Sequence, residues 1–504
     1  MNFDVRATSC ILTLAVLLAV TAPLSAEPAP PAKYEENWES LDRRPMPKWY
    51  GDAKFGIFIH WGVYSVPAFS HPDSYSEWYW HSLKADQSER SEQNKRNQAA
   101  TQAFHNRVYG ENFEYKQFAP MFRAELFDPA QWADVFKRSG AKYVVLTSKH
   151  HDGFCLFPNK QANKSWGRPW NSVDEGPKRD LLGDLGDAVR DAGLKMGFYY
   201  SLYEWFNPLW LSDRERFVDE HMIPQFKDVV TRYKPSIIFS DGEWEMAHDK
   251  WKSTELLAWL FNESPSRDEV VINDRWGKAT RHKHGGYFTT EYGVGMKDAS
   301  YSWEESRGMG MSYGYNRNES LSNYKSVKEL VWVLIDLVSR GGNFLLDVGP
   351  TADGRIPEIM QDRLIEMGQW LDVNGEAIFG TKTWQQQVQW TEGEQPSFEY
   401  KHFGEEYDIL QVAGMKSQGG KARKQVFYTK KPGALYAITP GWPEKELVLR
   451  DVKPAANTVV TMLGVEGSLG WKAAGDDLVI RMPSLGADEL PSRYAHTFKI
   501  TGVE

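Results

Sequence analysis

The stretch Pro235–Trp244 reads P-S-I-I-F-S-D-G-E-W. Ser236–Phe239 is a short apolar run after a helical segment that ends at Tyr233, which predicts a buried strand. Asp241 follows directly, so a carboxylate is expected where this strand gives way to a loop. In a barrel of parallel strands, catalytic groups collect at that rim. Taken alone, Asp241 and Gly242 are more typical of a turn or a helix cap, so the rest of the chain must decide.

Strands alternate with helical segments along most of the chain. This alternation predicts β-α-β crossovers and a parallel sheet, and the length favours a closed (β/α)8-like barrel over residues 27–380. No seventh strand is evident, so we expect an irregular barrel over residues 302–325. The polar stretch 84–114 predicts a long rim insertion that is at most partly helical. The other predicted strands are Lys54–Gly62, Lys142–His151, Lys195–Ser201, Glu269–Asp274, Tyr287–Gly293 and Asn343–Gly349.

The pattern changes after Thr381. Helical signatures end, and short alternating segments punctuated by Gly, Pro and Asn take over. Such segments are typical of an antiparallel β-sandwich, which we predict for residues 381–504. The segments are Asp408–Val412, Lys424–Tyr428, Ala434–Ile438, Glu446–Leu449, Asp477–Arg481 and Ala495–Ile500.

The N-terminus has the features of a secretory signal peptide. Residues 11–20 are apolar, and Leu24-Ser25-Ala26 offers a cleavage site of small residues. We therefore expect residues 1–26 to be removed near Ala26 from an exported protein, periplasmic or secreted. Cleavage would also remove Cys10 and leave Cys155 alone, which excludes an intrachain disulfide. No second apolar stretch is long enough to span a membrane.

Composition limits the classes of partner. The formal net charge is −9, which disfavours a protein that follows nucleic-acid phosphates. The chain has 21 Trp, 23 Tyr and 25 Phe, and sugar-handling proteins use such flat rings to stack on pyranoses. Composition alone is explained equally well by an aromatic-rich core.

Two carboxylates, Asp241 and Glu291, fall at the ends of different predicted strands. Glycoside hydrolysis needs two such groups on opposite sides of the scissile bond. Arg275 comes between them in the chain and could hold a carboxylate ionised or bind a sugar hydroxyl. Three other acids compete for the role of proton donor. They are Glu304, Glu305 and Glu204.

Two adjacent histidines end the second predicted strand. Neighbouring residues of a regular strand point to opposite faces, so His150 and His151 can share one pocket only if the strand ends or bulges there. The alternative, one histidine in the pocket and one behind it, is equally compatible with the sequence. His60, Tyr199 and Tyr200 also lie at strand ends.

Eight ordered motifs over roughly residues 35–380 resemble the α-L-fucosidase family, glycoside hydrolase family 29. The resemblance implies a (β/α)8-like barrel followed by a β-sandwich. The motifs are K-F-G-I-F-I-H-W-G-V-Y-S-V-P, S-E-W-Y, A-K-Y-V-V-L-T-S-K-H-H-D-G-F, G-F-Y-Y-S-L-Y-E-W, S-D-G-E-W, N-D-R-W-G, T-T-E-Y and S-Y-G-Y-N.

The resemblance also implies a role for each matching residue. Asp241 matches the family's nucleophile, and Glu291 matches its acid/base, with Glu304 as the alternative acid/base. Phe239 stands where the family often has Trp, which keeps an aromatic wall but removes the indole N–H. The residues implied to bind the sugar are His60, Glu77, Trp78, His150, His151, Tyr200 (with Tyr199 as the alternative), Phe239 and Arg275.

The implied activity is that of a retaining, exo-acting α-L-fucosidase acting on fucosylated oligosaccharides or polysaccharides, with no metal or other cofactor. Two alternatives remain at this stage. One is a carbohydrate-binding relative without catalysis, which the presence of both Asp241 and Glu291 disfavours. The other is a metal-dependent barrel hydrolase using His60, His150, His151 and Asp241. The sequence leaves the oligomeric state open, and a homo-oligomer is compatible with it.

Overall fold

A computed structural model describes residues 33–84, 86, 91–297, 300–397 and 408–503. The predicted signal peptide, residues 1–26, lies outside these described residues. The predicted fold class is confirmed: eight parallel strands form one curled sheet, followed by antiparallel sheets. The parallel strands are β1 (Phe55–Ile59), β2 (Tyr143–Lys149), β3 (Lys195–Ser201), β4 (Ile237–Asp241), β5 (Val271–Ile272), β6 (Phe288–Glu291), β7 (Trp303–Gly308) and β8 (Asn343–Val348).

The strand order β5-β4-β3-β2-β1-β8-β7-β6 leaves β5 and β6 as the two edges of the sheet. A single parallel bridge between Asn273 and Tyr287 joins these edges just beyond β5 and just before β6. The strands of a barrel with helices outside are buried on both sides, so they can be apolar throughout. The fully buried F-G-I-F-I run of β1 shows this pattern.

Helices cover the outside of the barrel. In the helix Pro129–Arg138, Asp128 caps the first turn and the apolar positions repeat at helical spacing, so Trp132 and Phe136 face the core. The helices are α1 (Trp38–Leu41), α2 (Lys48–Ala53), α3 (Tyr79–Lys84), α4 (Glu92–Val108), α5 (Pro129–Arg138), α6 (Lys160–Trp166), α7 (Leu181–Asp191), α8 (Pro208–Ser212), α9 (Arg214–Phe217), α10 (Ile223–Tyr233), α11 (Ser253–Asn262), α12 (Val327–Ser339), α13 (Glu358–Asn374) and α14 (Ile409–Val412).

The expectation of an irregular barrel over residues 302–325 was wrong, because β7 is a regular strand within that stretch. It pairs with both β6 and β8, and all six of its residues are buried. Its sequence, W-E-E-S-R-G, has the charge of a surface loop. The charged side chains of β7 have hydrogen-bonding partners inside the protein in place of water. Glu305 binds Arg307 at 2.8 Å, and Glu304 accepts hydrogen bonds from tyrosines.

The insertion at 84–114 is partly helical, as predicted. It contains α4, a helix of 17 residues that begins at the cap Ser91. The helix is polar on most of its surface, which hides its periodicity in the sequence. Its few buried contacts fix it to the rim: Phe104 stacks on Phe69, and Asn97 accepts the backbone N–H of His71.

The C-terminal part is a sandwich of a five-stranded and a three-stranded antiparallel sheet. The segment Asp408–Val412, predicted as a strand, is instead the short helix α14, which Asp408 caps. Three strands were not predicted, and few of their residues are buried. The strands are β9 (Lys382–Trp390), β10 (Lys424–Lys431), β11 (Ala434–Thr439), β12 (Glu446–Leu449), β13 (Pro454–Met462), β14 (Trp471–Ala474), β15 (Asp477–Arg481) and β16 (His496–Val503), of which β9, β13 and β14 were missed.

The sandwich packs against the last two barrel helices. The indole N–H of Trp332 on α12 donates to the carbonyl of Tyr494 at 2.8 Å, and that of Trp370 on α13 donates to Ala495 at 3.0 Å. Asp336 of α12 forms a buried ion pair with Lys424 of β10. Both domains therefore share one interface around α12. Within the described residues, no helix is long and apolar enough to cross a bilayer.

Candidate active site

A cavity of about 610 Å³ opens at the carboxyl ends of the barrel strands. Its floor is aromatic, with Phe58 from β1 and Phe239 from β4 facing each other across the barrel interior at 5.0 Å between ring centres. The polar groups of its wall come from different strand ends, as a barrel rim predicts. The lining residues that were named from the sequence are His60, Glu77, Trp78, His150, Tyr199, Phe239, Asp241, Arg275 and Glu291.

Asp241, the last residue of β4, receives hydrogen bonds on both carboxylate oxygens. Arg275 donates to Oδ1 at 2.8 Å, and the hydroxyl of Tyr199 donates to Oδ2 at 2.8 Å. Nε2 of His151 lies 3.3 Å from Oδ2. Burial alone would raise the pKa of Asp241, but Arg275 and His151 outweigh it and hold the pKa well below its usual value. Asp241 is therefore an ionised carboxylate at the wall of the pocket.

Arg275 joins the two candidate catalytic carboxylates. Its Nη1 binds Asp241, while its Nη2 binds Oε2 of Glu291 at 2.9 Å. Nε donates to Thr289 at 3.0 Å, and the guanidinium lies 4.8 Å from the ring centre of Phe239. These contacts fix the plane of the guanidinium, so Arg275 holds both carboxylates in one arrangement.

Of the two adjacent histidines, His150 lies in the pocket and His151 lies behind it. Strand β2 ends at Lys149, and its pairing with β3 shifts register just before that end. His150 lines the pocket. His151 is fully buried, with Nδ1 2.6 Å from the hydroxyl oxygen of Ser201 and its other nitrogen towards Asp241. Of the two alternatives from the sequence, the structure has one pocket histidine and one that contacts the carboxylate from behind.

His60 follows β1 and is oriented by a buried carboxyl group. Its Nδ1 lies 2.7 Å from Oδ1 of Asp347 on β8, and its ring stacks on Tyr313 at 4.8 Å. Burial lowers the pKa of His60 to about 3, so the ring is neutral. Burial also raises the pKa of Asp347 well above its usual value. The pair therefore presents a neutral imidazole of fixed orientation to the pocket.

Glu77 and Trp78 come from the loop after β1. Glu77 is 1% exposed and accepts the backbone N–H of Gly314 at 2.8 Å and the hydroxyl of Ser312 at 3.2 Å. Burial raises the pKa of Glu77 to about 7. Trp78 is partly exposed and makes an edge-to-face contact with His151. This loop thus supplies one hydrogen-bonding group and one flat wall.

The prediction for Tyr200 was wrong. Its hydroxyl contacts the carbonyl of Met222 at 3.1 Å and Gln225 at 2.8 Å, so the side chain points away from the pocket towards the helices. Tyr199, the alternative, lines the pocket and binds Asp241. The two residues alternate across one strand, and the sequence did not fix which face is inside.

Glu304 does not reach the pocket, which contradicts its assignment as alternative acid/base. It lies in the barrel at the opposite end, where Tyr50 donates to Oε2 at 3.1 Å and Tyr143 also donates to that oxygen. Tyr143 is the first residue of β2, at the amino end of the strands. Glu305 binds Arg307, and Glu204 binds Lys149 at 2.6 Å, so these acids also have structural partners away from the cavity.

Several residues of the pocket were not singled out from the sequence. Glu243 follows Asp241 by two residues. Its Oε1 accepts a hydrogen bond from Nε of Arg281 at 2.5 Å. Burial raises the pKa of Glu243 despite Arg281. The motif S-D-G-E-W contained a signal for Glu243 and Trp244, and the motif S-Y-G-Y-N contained one for Tyr313. Ser306 lies in the unpredicted strand β7, and the remaining residues come from loops. The additional residues are Tyr75, Glu243, Trp244, Lys278, Arg281, Ser306 and Tyr313.

Among the described residues, no group of three or more His, Cys, Asp or Glu side chains has the arrangement of a metal site. Nδ1 of His60 and Nδ1 of His151 contact Asp347 and Ser201 instead.

Comparison with known proteins identifies the relatives of this chain. The family profile described as Alpha-L-fucosidase matches residues 21–376, and that of the Alpha-L-fucosidase C-terminal domain matches residues 418–501. The chain belongs to the α-L-fucosidase family. The family match covers the whole barrel and most of the sandwich, so both domains have counterparts in known α-L-fucosidases.

The chain is similar to tissue alpha-L-fucosidases along its whole length. It is 40% identical to the human protein over 97% of each chain, and 39% identical to the rat protein over 99% of this chain and 100% of that one. A crystal structure of the Thermotoga maritima alpha-fucosidase in complex with fucose is 35% identical, with a TM-score of 0.73 over 93% of this chain and 100% of that one. Similarity of this extent shows a glycoside hydrolase with α-L-fucosidase activity.

Proposed function

We propose that this α-L-fucosidase removes terminal α-L-fucosyl residues by retaining double displacement, with Asp241 as nucleophile and Glu291 as acid/base. The observation that carries the proposal is the single guanidinium of Arg275 between the two carboxylates, at 2.8 and 2.9 Å. Retaining pairs lie about 5–5.5 Å apart and inverting pairs about 6.5–9.5 Å apart. One shared guanidinium favours the shorter separation.

The two carboxylates act in sequence. The ionised Asp241 attacks the anomeric carbon while Glu291 gives a proton to the leaving oxygen, which forms a covalent fucosyl-enzyme. Glu291 then takes a proton from water as the water attacks the same carbon and releases Asp241. The hydrogen bonds from Tyr199 and Arg275 keep Asp241 in place through both steps.

The remaining pocket groups bind the sugar. His60, Glu77 and His150 supply hydrogen-bonding groups for hydroxyls, and Trp78 supplies a wall. An aromatic corner formed by Phe58, Tyr75 and Tyr313 offers a surface for the C6 methyl of fucose. One methyl contributes only about 1–3 kcal/mol, so the hydroxyl contacts supply most of the selectivity.

The first test uses an aryl α-L-fucoside beside the matching α-L-galactoside and β-D-fucoside. We expect selective hydrolysis of the α-L-fucoside, with α-L-fucose as the anomer first seen by ¹H NMR. Release of the β-anomer first would contradict the retaining mechanism.

The second test separates the two carboxylates. Asp241→Ala should lower kcat by roughly a thousandfold or more, and azide should restore turnover with a β-fucosyl azide as product. Glu291→Ala should lose least on substrates with activated leaving groups, and azide should then give the α-fucosyl azide. The opposite azide products would exchange the two roles.

We also propose that the enzyme acts outside the cytoplasm after cleavage near Ala26. The support is the N-terminal apolar segment and its small-residue cleavage site. Mass spectrometry of the protein recovered from its native host should show a mature chain that begins at Glu27.

A further inference from the structure

The cavity changes in character from its floor to its mouth. Phe58, Phe239 and Tyr199 at the floor are buried, whereas Lys278 and Ala279 are the exposed members of the lining. An exo-acting enzyme holds the terminal sugar at the closed end of such a pocket. The sugar that departs must therefore extend past the mouth, where Lys278 lies.

The topology places Lys278 near the departing group for a second reason. Asp241 ends β4 and Glu291 ends β6, while the loop that follows β5 lies between them and contains Lys278. The acid/base must contact the leaving oxygen, so the leaving group passes along this side of the rim.

The backbone at Lys278 is fixed rather than free. Its N–H donates to the carbonyl of Met246 at 2.8 Å, in a parallel bridge between the loops that follow β4 and β5. Three residues further, Arg281 binds Glu243 at 2.5 Å and ties the same loops together again. Lys278 is thus presented at the mouth from a braced loop.

Lys278 differs from the other cations of the pocket lining in its charge partners among the described residues. The other two cations of the lining have carboxylate partners, since Arg275 binds Asp241 and Glu291, and Arg281 binds Glu243. In the part of the chain that the structure describes, Lys278 has no carboxylate within ion-pair distance. An unpaired cation at the mouth of a site in a chain with net charge −9 points to an anionic ligand group.

We propose that Lys278 forms a leaving-group subsite for a sugar that carries an anionic substituent, a sulfate or a carboxylate, next to the fucosyl residue. This inference rests on the proposed function. Trp244 lines the same side of the cavity, is partly exposed and lies roughly parallel to Trp78 at 6.5 Å and 24°. It offers the ring of the departing sugar an apolar surface, while Lys278 selects its charge.

The test compares three substrates that differ in one group of the leaving phenol: 3-carboxyphenyl, 3-sulfophenyl and the neutral 3-carbamoylphenyl α-L-fucosides. For each anionic substrate, the quantity measured is its kcat/KM divided by that of the amide. Lys278→Met should lower this ratio about two- to fivefold, the range for one exposed charge pair. Because the ratio compares substrates within one enzyme, differences in phenol acidity cancel between the native protein and the variant.

A matched control lies in the same loop. Lys283 is exposed and does not line the cavity, so Lys283→Met should leave the ratio unchanged. Raising the salt concentration should lower the ratio in the native enzyme and in Lys283→Met, but not in Lys278→Met. This salt response is measurable without any variant, so the proposal does not depend on how Lys278→Met folds.

The outcomes distinguish a failure of the anionic subsite from a failure of the proposed fucosidase reaction. A fall for the sulfonate alone assigns the subsite to sulfated sugars, and a fall for the carboxylate alone assigns it to uronic or other acidic sugars. If all three substrates are hydrolysed and neither ratio responds to Lys278→Met or to salt, the anionic subsite is refuted while the fucosidase reaction stands. If none of the three is hydrolysed, the proposed function itself fails.

Discussion

Nδ1 of His60 lies 2.7 Å from Oδ1 of Asp347, and both side chains are buried. Strands β1 and β8 are neighbours in the barrel, so this contact joins a pocket histidine to a residue that does not line the pocket. The pair fixes the plane of the imidazole and determines which of its nitrogens carries the proton.

Loss of this contact should therefore impair sugar binding without removing a pocket residue. Asp347→Leu should lower kcat/KM on an aryl α-L-fucoside by roughly 10- to 100-fold, about 1.4–2.8 kcal/mol, because Nδ1 is left buried and unpaired. Asp347→Asn keeps a hydrogen bond and should lose less. ¹⁵N NMR of the His60 ring should show a changed tautomer population only in Asp347→Leu. Equal losses in both variants would show that the carboxyl group acts by its charge and not by orienting the ring.

Tyr199 and Tyr200 allow a matched comparison of two adjacent residues. Tyr199→Phe removes the hydrogen bond to Asp241 and should lower kcat by roughly tenfold or more, with little change in thermal stability. Tyr200→Phe leaves the carbonyl of Met222 and the amide of Gln225 without their partner, so it should lower the free energy of unfolding by about 1–3 kcal/mol. Its kcat per folded molecule should stay near that of the native enzyme. A large kcat loss in Tyr200→Phe would instead support the prediction from the sequence that Tyr200 binds the sugar.

Arg275 should set the acid limb of the pH profile. Asp241 must be ionised to attack, and Arg275 is the strongest influence that lowers its pKa. Removing the cation raises that pKa, so in Arg275→Met the acid limb of kcat/KM should move to higher pH by about 1–3 units. Arg275→Lys keeps the charge and should shift the limb less. An unmoved limb in Arg275→Met would mean that another group controls the ionisation of Asp241.

Glu304 should make stability depend on pH. Burial raises its pKa from 4.5 to about 7, so the folded state binds a proton more tightly than the unfolded state. Its stabilising contribution is complete below about pH 4.5 and is lost as the pH rises through about 7. The loss is on the order of 3 kcal/mol, from a shift of about 2.5 units at 1.36 kcal/mol each.

The measurement compares the native protein with Glu304→Gln, which mimics the protonated side chain at every pH. The difference in free energy of unfolding between the two should change by this amount between pH 5 and 8, with the variant gaining relative stability as the pH rises. Parallel curves would show that Glu304 is ionised throughout this range.

The parts of the fold that the sequence predicted are those where local pattern and burial agree. The apolar run before Asp241 is such a case, and strand β4 is present there as predicted. Strand β7 was missed because the interior of the barrel, not water, satisfies its charges. The bounds of helix α4 were not predicted, because a polar helix on the rim has almost no apolar periodicity.

For the site, the sequence indicated the residues at strand ends but not their orientation. A shift of one residue exchanges the faces of a strand, which is why Tyr200 was chosen over Tyr199. Glu304 and Glu291 are both acids on neighbouring strands. Glu304 pairs with Thr289, two residues before Glu291, and its side chain contacts tyrosines towards the amino end of the barrel, which the sequence did not indicate. The positions of Lys278 and Arg281 at the pocket depend on the bridge between the loops that follow β4 and β5. The sequence alone does not predict that bridge.

Helix α12 has consequences for the modularity of the enzyme. All its residues from Leu330 to Ser339 are buried, because the barrel covers one side and the sandwich the other. A barrel ending near residue 380 would expose that second side to water, and Asp336 would lose Lys424 and keep its ion pair with Arg340. The catalytic half of this chain is thus not a portable unit, and any chimera that transfers its specificity to another scaffold has to transfer the sandwich as well.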